Sequence, residues 1–145
     1  MRAVAFLNDM PLRMLLYANE IFEENAMSNP FVHIELMTPD VGKAKAFYGK
    51  LLNWKLEDAP IPGMDYTMIR VGEGTGGGMM KNPMPGGGSV WVPYVDVDDI
   101  RAATDKAKAL GGKVHKDSVD IDFGIFSIVE DPTGAMIGLW KQKKK

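Results

Sequence analysis

FVHIELMTPDVGKAKAFYGKLLNWK, residues 31–55, decides the fold. Phe31 to Met37 alternates, with His33 and Glu35 on one side and Val32, Ile34 and Leu36 on the other, the period of a β-strand. Thr38-Pro39-Asp40 stops that strand. Asp40 is placed to cap a helix, its carboxylate accepting from a backbone N–H that the first turn leaves unpaired. Ala44, Phe47, Tyr48, Leu51 and Leu52 then recur at helical spacing as one apolar stripe. Asn53 is a candidate left-handed helix stop.

The same unit returns when the chain is slid by 58 positions. Asp40 then falls on Asp98, Leu52 on Leu110, Asn53 on Gly111, Lys55-Leu56 on Lys113-Val114, and Gly76 on Gly134. Two copies are too few for a solenoid. They predict two halves packed about a pseudo-two-fold, with a cleft between them.

The rest of the chain fills in each half. In the first, strands are expected at Lys55–Asp58, Asp65–Val71 and Gly77–Lys81, separated by the loop 59–64 and a glycine-rich turn. NPMPGGG, residues 82–88, reads as a linker. The second half should carry a strand at Ser89–Val97, a helix at Asp99–Leu110, and strands at Lys113–Lys116, Ile125–Glu130 and Ala135–Lys141. The expected class is α+β: two tandem βαβββ modules, residues 29–86 and 87–142, forming a U-shaped eight-stranded mixed sheet with helices on one side and a central cleft on the other. Residues 1–28 form an extension outside the repeat, with a short amphipathic helix expected around Leu12, Leu15, Leu16 and Phe22. Translation from Met1 and from Met27 both remain open. Residues 143–145 are a basic tail.

Composition excludes several classes. There is no cysteine, so disulfides and thiolate metal sites are ruled out. A formal charge of −2 gives no electrostatic case for nucleic acid. No apolar run is long enough for a membrane span. A soluble, cytoplasmic protein is expected.

ELMTPD followed by AKAFYGKLLNW, the second-half VDVDDI, and the closing EDPTGAMIGLW together resemble the vicinal oxygen chelate superfamily. That group includes glyoxalase I, bleomycin-resistance proteins and extradiol dioxygenases, and this chain is most similar to its bacterial glyoxalase-like members. The resemblance implies two βαβββ modules around a U-shaped sheet. In metal-using members a divalent ion takes His, Glu or Gln ligands from the first and last strand of each module, converging at about 2.0–2.2 Å. Carried over by position, one ligand survives, His33. The other places fall at Met80, at Trp91 or Val92, and at Gly138. No metal cofactor is therefore expected.

The remaining candidates each carry two readings. His33 and Glu35 could be a general-base pair, or could satisfy only their own hydrogen bonds while lining the cleft. Trp91 and Trp140 could stack on a planar ligand, or close the space that metal ligands vacate. Tyr66 and Arg70, on one face of a strand, could hold an anionic or carbonyl group, or lie in solvent. Met79, Met80 and Met84 could form a pliable apolar pocket. Gly72, Gly74 and Gly77 match a dinucleotide fingerprint, but a strand follows where a helix would be needed. The expected function is metal-independent binding of a small molecule in the cleft. The alternatives are a metal-dependent lyase, isomerase or dioxygenase, and a protein-interaction module with a filled cleft. A homodimer is expected, partly because many members of the resembled group pair, and partly because edge strands and an apolar extension invite a partner.

Overall fold

The computed structural model describes residues 29–144. The extension 1–28, with its expected helix, lies outside the described residues. The elements are β1 (Phe31–Thr38), α1 (Val41–Leu51), β2 (Lys55–Ala59), β3 (Tyr66–Arg70), β4 (Gly77–Lys81), β5 (Val90–Asp96), α2 (Ile100–Ala109), β6 (Lys113–Ile121), β7 (Gly124–Glu130) and β8 (Met136–Gln142). The fold is α+β, as expected. All eight strands form one open mixed sheet in the order β2-β3-β4-β1-β5-β8-β7-β6. That order is symmetric about the β1–β5 junction, where the two modules meet antiparallel. Within each module the first and last strands run parallel, β1 beside β4 and β5 beside β8.

Both helices begin at an aspartate cap, the second at Asp99 rather than at Asp98, the slide's match for Asp40. Asp40 Oδ1 accepts from Lys43 N at 2.9 Å, and Asp99 Oδ1 accepts from Ala102 N at 3.0 Å. Each helix then lays its apolar stripe on one face of the sheet. Under α1, Val41, Ala44 and Tyr48 pack on Leu36, Ile69 and Met79. Under α2, Ile100, Ala103 and Ala107 pack on Val97, Val129 and Leu139. Each fully buried Val, Leu, Ile or Met among them stabilises the fold by about 1.5–3 kcal/mol. The helices are seated unequally: α2 buries Ile100 and Thr104 fully, while α1 buries no residue fully and leaves Phe47 and Leu51 exposed.

A third cluster lies on the opposite, helix-free face. Val92, Tyr94 and Ile128 form its centre, flanked by Met37, Phe126, Met136 and Trp140.

Three expectations are corrected. Asn53 is not a left-handed stop, because the chain leaves α1 extended at Leu52 (φ −124°, ψ 154°) and Ser118 alone among the described non-glycine residues has a positive φ. Strand β6 runs to Ile121, well past Lys116, because Val119–Ile121 resumes pairing with β7 after an irregular register between Lys116 and Val119. The repeat is also not free of gaps. The helix caps Asp40 and Asp99 are 59 positions apart, so Glu35 is the counterpart of Tyr94. Glu35 pairs with Gly78 and Tyr94 with Gly138, so those glycines correspond at a separation of 60. The 58-residue slide holds where Lys55 and Lys113 begin their strands. The offset thus falls by one before β2 and rises by two before the last strands, and on a strand a one-residue error exchanges the two faces.

Candidate functional site on the helix-free face

Strand alternation sends His33, Glu35 and Met37 of β1 to the helix-free face, beside Tyr94 and Val92 of β5. Tyr66 of β3 reaches the same place from across β4, because Gly78 between them has no side chain. A Cβ at Gly78 would overlap the Tyr66 ring, and one at Gly138 would overlap the Tyr94 ring. The two last-strand positions, Gly78 and Gly138, are thus occupied by tyrosines from neighbouring strands.

Four side chains converge there. Glu35, only 8% exposed, accepts from Tyr66 Oη at 2.9 Å on Oε2 and from Tyr94 Oη at 2.9 Å on Oε1. His33 Nε2 lies 2.6 Å from Tyr66 Oη. The His33 ring lies roughly parallel to Tyr66, with centroids 6.4 Å apart, and edge-on to Tyr94 at 5.8 Å. Burial pushes the Glu35 carboxyl above its ordinary value, although the two tyrosine hydroxyls oppose this by stabilising the carboxylate. Burial also lowers His33, which favours neutral imidazole. Both tyrosine hydroxyls are held well above the usual phenol range, first by burial and then by the Glu35 charge, and so stay protonated.

The structure brings together His33, Glu35 and Tyr66 from the sequence candidates. Trp140 lies on the same face, in the cluster with Tyr94 and Phe126, whose rings meet edge-on at 6.3 Å. Met80, half-buried beside Tyr66 and Met37, borders it. Three candidates fall elsewhere. Trp91, a candidate to stack on a ligand in the cleft, pairs with Leu36 and faces the helices, its Nε1 donating to Tyr48 Oη at 3.3 Å. The missed insertion is the cause: the counterpart of His33 is Val92. Arg70 shares a face with Tyr66 but sits about 13 Å along the strand, where it pairs with Glu57 at 2.5 Å in solvent. Met79 and Met80 point to opposite faces and Met84 is exposed on the linker, so they form no common pocket. Tyr94 was missed. Its signal was present, since it alternates in phase with Val92 and follows Glu35 by the same 59 positions that separate the helix caps.

Two hollows among the described residues lie away from this cluster. One, of about 180 Å³, is apolar and lined by Trp54, Trp91, Ile34, Ile69 and Gly77 on the helix side. The other, of about 300 Å³, is a polar surface hollow at Arg101, Asp105, Asp117 and Ser118.

A family model for the Glyoxalase/Bleomycin resistance protein/Dioxygenase superfamily matches residues 31–139. The chain belongs to that superfamily. A curated relative, the provisionally named glyoxylase CFP32 of Mycobacterium bovis and Mycobacterium tuberculosis, is 38% identical over 120 residues, covering 77% of this chain and 45% of the relative. The chain therefore spans about half the length of the curated relatives it matches. Among solved structures, a hypothetical protein of Bacillus halodurans superposes with a TM-score of 0.62 at 18% identity, covering 81% of this chain and 97% of that one. Methylmalonyl-CoA epimerase of Mycobacterium tuberculosis gives a TM-score of 0.59 at 14% identity, covering 79% and 88%. At these identities the structural likeness concerns the fold.

The superfamily's divalent ion can be tested against the donors on this face. Gly78 and Gly138 offer no side chain, Val92 stands where His33 has its counterpart, and both Glu35 oxygens already accept from tyrosines. Among the described residues no three His, Cys, Asp or Glu side chains converge as a cation site. A metal at His33 would compete with Tyr66 for Nε2 and with two tyrosine hydroxyls for the Glu35 lone pairs, with no third carboxylate or imidazole beside them among the described residues. The donor set does not fit the ion.

Proposed function

We propose that this superfamily member binds a small, flat, weakly polar organic molecule on the helix-free face without a divalent metal. The observation that carries the reading is Glu35. Its carboxylate stands buried at the module junction, and each of its oxygens accepts from a tyrosine hydroxyl, with no further carboxylate beside it among the described residues to complete a cation site. The surroundings suit an aromatic or carbonyl compound, with Val92, Ile128, Met37, Phe126 and Trp140 supplying apolar surface beside one polar pair. The relative's name, glyoxylase, is compatible with small-molecule chemistry of this kind. Elemental analysis of the purified protein should find no stoichiometric divalent ion, and calorimetry with phenolic and aromatic carbonyl compounds should detect binding that added Zn²⁺, Ni²⁺ or Mn²⁺ leaves unchanged. One equivalent of metal, lost in His33→Ala, would reverse the reading in favour of a metal-dependent lyase, isomerase or dioxygenase.

A second reading, an interaction module with a filled cleft, draws on the tyrosine rings that take up the space at Gly78 and Gly138. Its partner would be a second copy of the chain. Exposed Phe31, Phe47 and Leu51 support self-association. Light scattering at high micromolar concentration should give a dimer mass. A monomer that binds the aromatic probes would leave the small-molecule reading alone.

A further inference from the structure

We infer that the Glu35–Tyr66 pair locks His33 as the Nε2–H tautomer, so that its Nδ1 lone pair selects ligands bearing a hydrogen-bond donor, such as a phenolic or enolic hydroxyl. The inference rests on the binding reading above and names the ligand class of that same face.

The argument is a count of protons. A tyrosine hydroxyl carries one hydrogen. A carboxylate has none to give, so Tyr66 must donate that hydrogen to Glu35 Oε2 across 2.9 Å. Tyr94 spends its own on Oε1. The Tyr66 oxygen can then only accept across its 2.6 Å contact with His33 Nε2, so Nε2 carries the imidazole hydrogen. In neutral imidazole the other nitrogen is a bare acceptor. Burial of His33 favours that neutral form. Among the described residues Nδ1 has no hydrogen-bond partner, and His33 as a whole is half-buried. Hydrogens thus run in one sense, from His33 to Tyr66 to Glu35, and the open end of the chain is an acceptor.

Such an acceptor discriminates by what a ligand can donate. Phenol and anisole have the same ring and differ in one O–H against one O–CH₃. Against a bare Nδ1, phenol gains a hydrogen bond that anisole lacks. A reversed chain, with Nδ1–H outward, would prefer carbonyl or ether oxygens.

Long-range ¹H–¹⁵N spectra of the labelled full chain read the tautomer directly. The chain has two histidines, and His115→Asn assigns which signals belong to His33. The expected free-protein pattern has a pyrrole-type Nε2 and a pyridine-type Nδ1, and Tyr66→Phe, which keeps the ring but removes the acceptor oxygen, should mix the two tautomers. Phenol should shift the His33 Nδ1 signal and bind at least tenfold more tightly than anisole. An Nδ1–H tautomer in the free protein overturns the inference. Equal binding of both probes on this face also overturns it, while leaving the binding reading in place. Binding of neither there sinks the binding reading and this inference with it. If Tyr66→Phe does not fold, the wild-type spectrum and the two probes still decide.

Discussion

Glu35 and Tyr94 hold equivalent places in the two modules, and they are bonded to each other across the pseudo-two-fold, Tyr94 Oη donating to Glu35 Oε1 at 2.9 Å. Removing that hydroxyl leaves a buried carboxylate oxygen without its donor. Tyr94→Phe should therefore cost about 1.5–3 kcal/mol, the range for hydrogen bonds to charged groups. Urea denaturation measures it. A loss below about 0.5 kcal/mol would mean that water replaces the phenol and that the cluster is less closed than its burial indicates.

The glycines of the last strands are required by close approach. At Gly77 a Cβ would collide with the backbone carbonyl of Ile34, and at Gly138 with the Tyr94 ring. At Gly88 a Cβ meets nothing within 4 Å. Gly138→Ala should cost about 1–3 kcal/mol because the ring can yield, and Gly77→Ala should exceed it because the neighbouring backbone cannot. Gly88→Ala should be within about 0.5 kcal/mol of neutral. Melting curves of the three variants give the order, and a Gly77→Ala protein as stable as Gly88→Ala would contradict the β1–β4 packing.

Beneath α2 a second polar chain has Thr104 and Ser127 buried at its centre. Thr104 Oγ1 donates to Ile100 O at 2.6 Å, Ser127 Oγ bonds Thr104 Oγ1 at 2.7 Å, and Ser118 N donates to Ser127 Oγ at 2.9 Å. Ser127 Oγ thus accepts from the amide of a residue held at φ +46°. Ser127→Ala should cost about 1–3 kcal/mol by stranding that amide. It should also speed hydrogen exchange at Ser118, and unchanged exchange there would show the bond to be dispensable.

The architecture was legible because it is written in local chemistry. Asp40 caps, the stripe from Ala44 to Tyr48 packs, and the alternation from Phe31 to Met37 pairs, each within a few residues. The site was legible only in part, because its members meet through register. His33, Glu35 and Tyr66 could be chosen by residue type, but which face Trp91 occupies depends on single insertions that a rigid slide of the sequence does not reveal. Tyr94 was missed for that reason and Trp91 was misplaced for it. The length of β6 was missed because Asp117 to Ile121 is too polar to announce a strand; pairing with β7 holds it.

His33 and Glu35 should tilt the pH dependence of stability in opposite senses. His33 has its folded value lowered from 6.5 by burial, so below 6.5 the unfolded chain takes up a proton that the native imidazole resists. The unfolded state then binds more protons, and stability is lost as pH falls from 6.5 towards the folded value. Glu35 has its folded value raised from 4.5, so between 4.5 and that value the native state holds the extra proton. Its contribution is fully present below 4.5 and is lost as pH rises through the folded value. Urea denaturation from about pH 4 to about pH 8 on wild type, His33→Gln and Glu35→Gln separates the two. Relative to wild type, His33→Gln should lose less stability on acidification below 6.5, and Glu35→Gln should lose less as pH rises from 4.5. A His33→Gln curve parallel to wild type through that window would mean the imidazole titrates as freely as in the unfolded chain. The cluster would then be open to water rather than closed by Tyr66 and Tyr94.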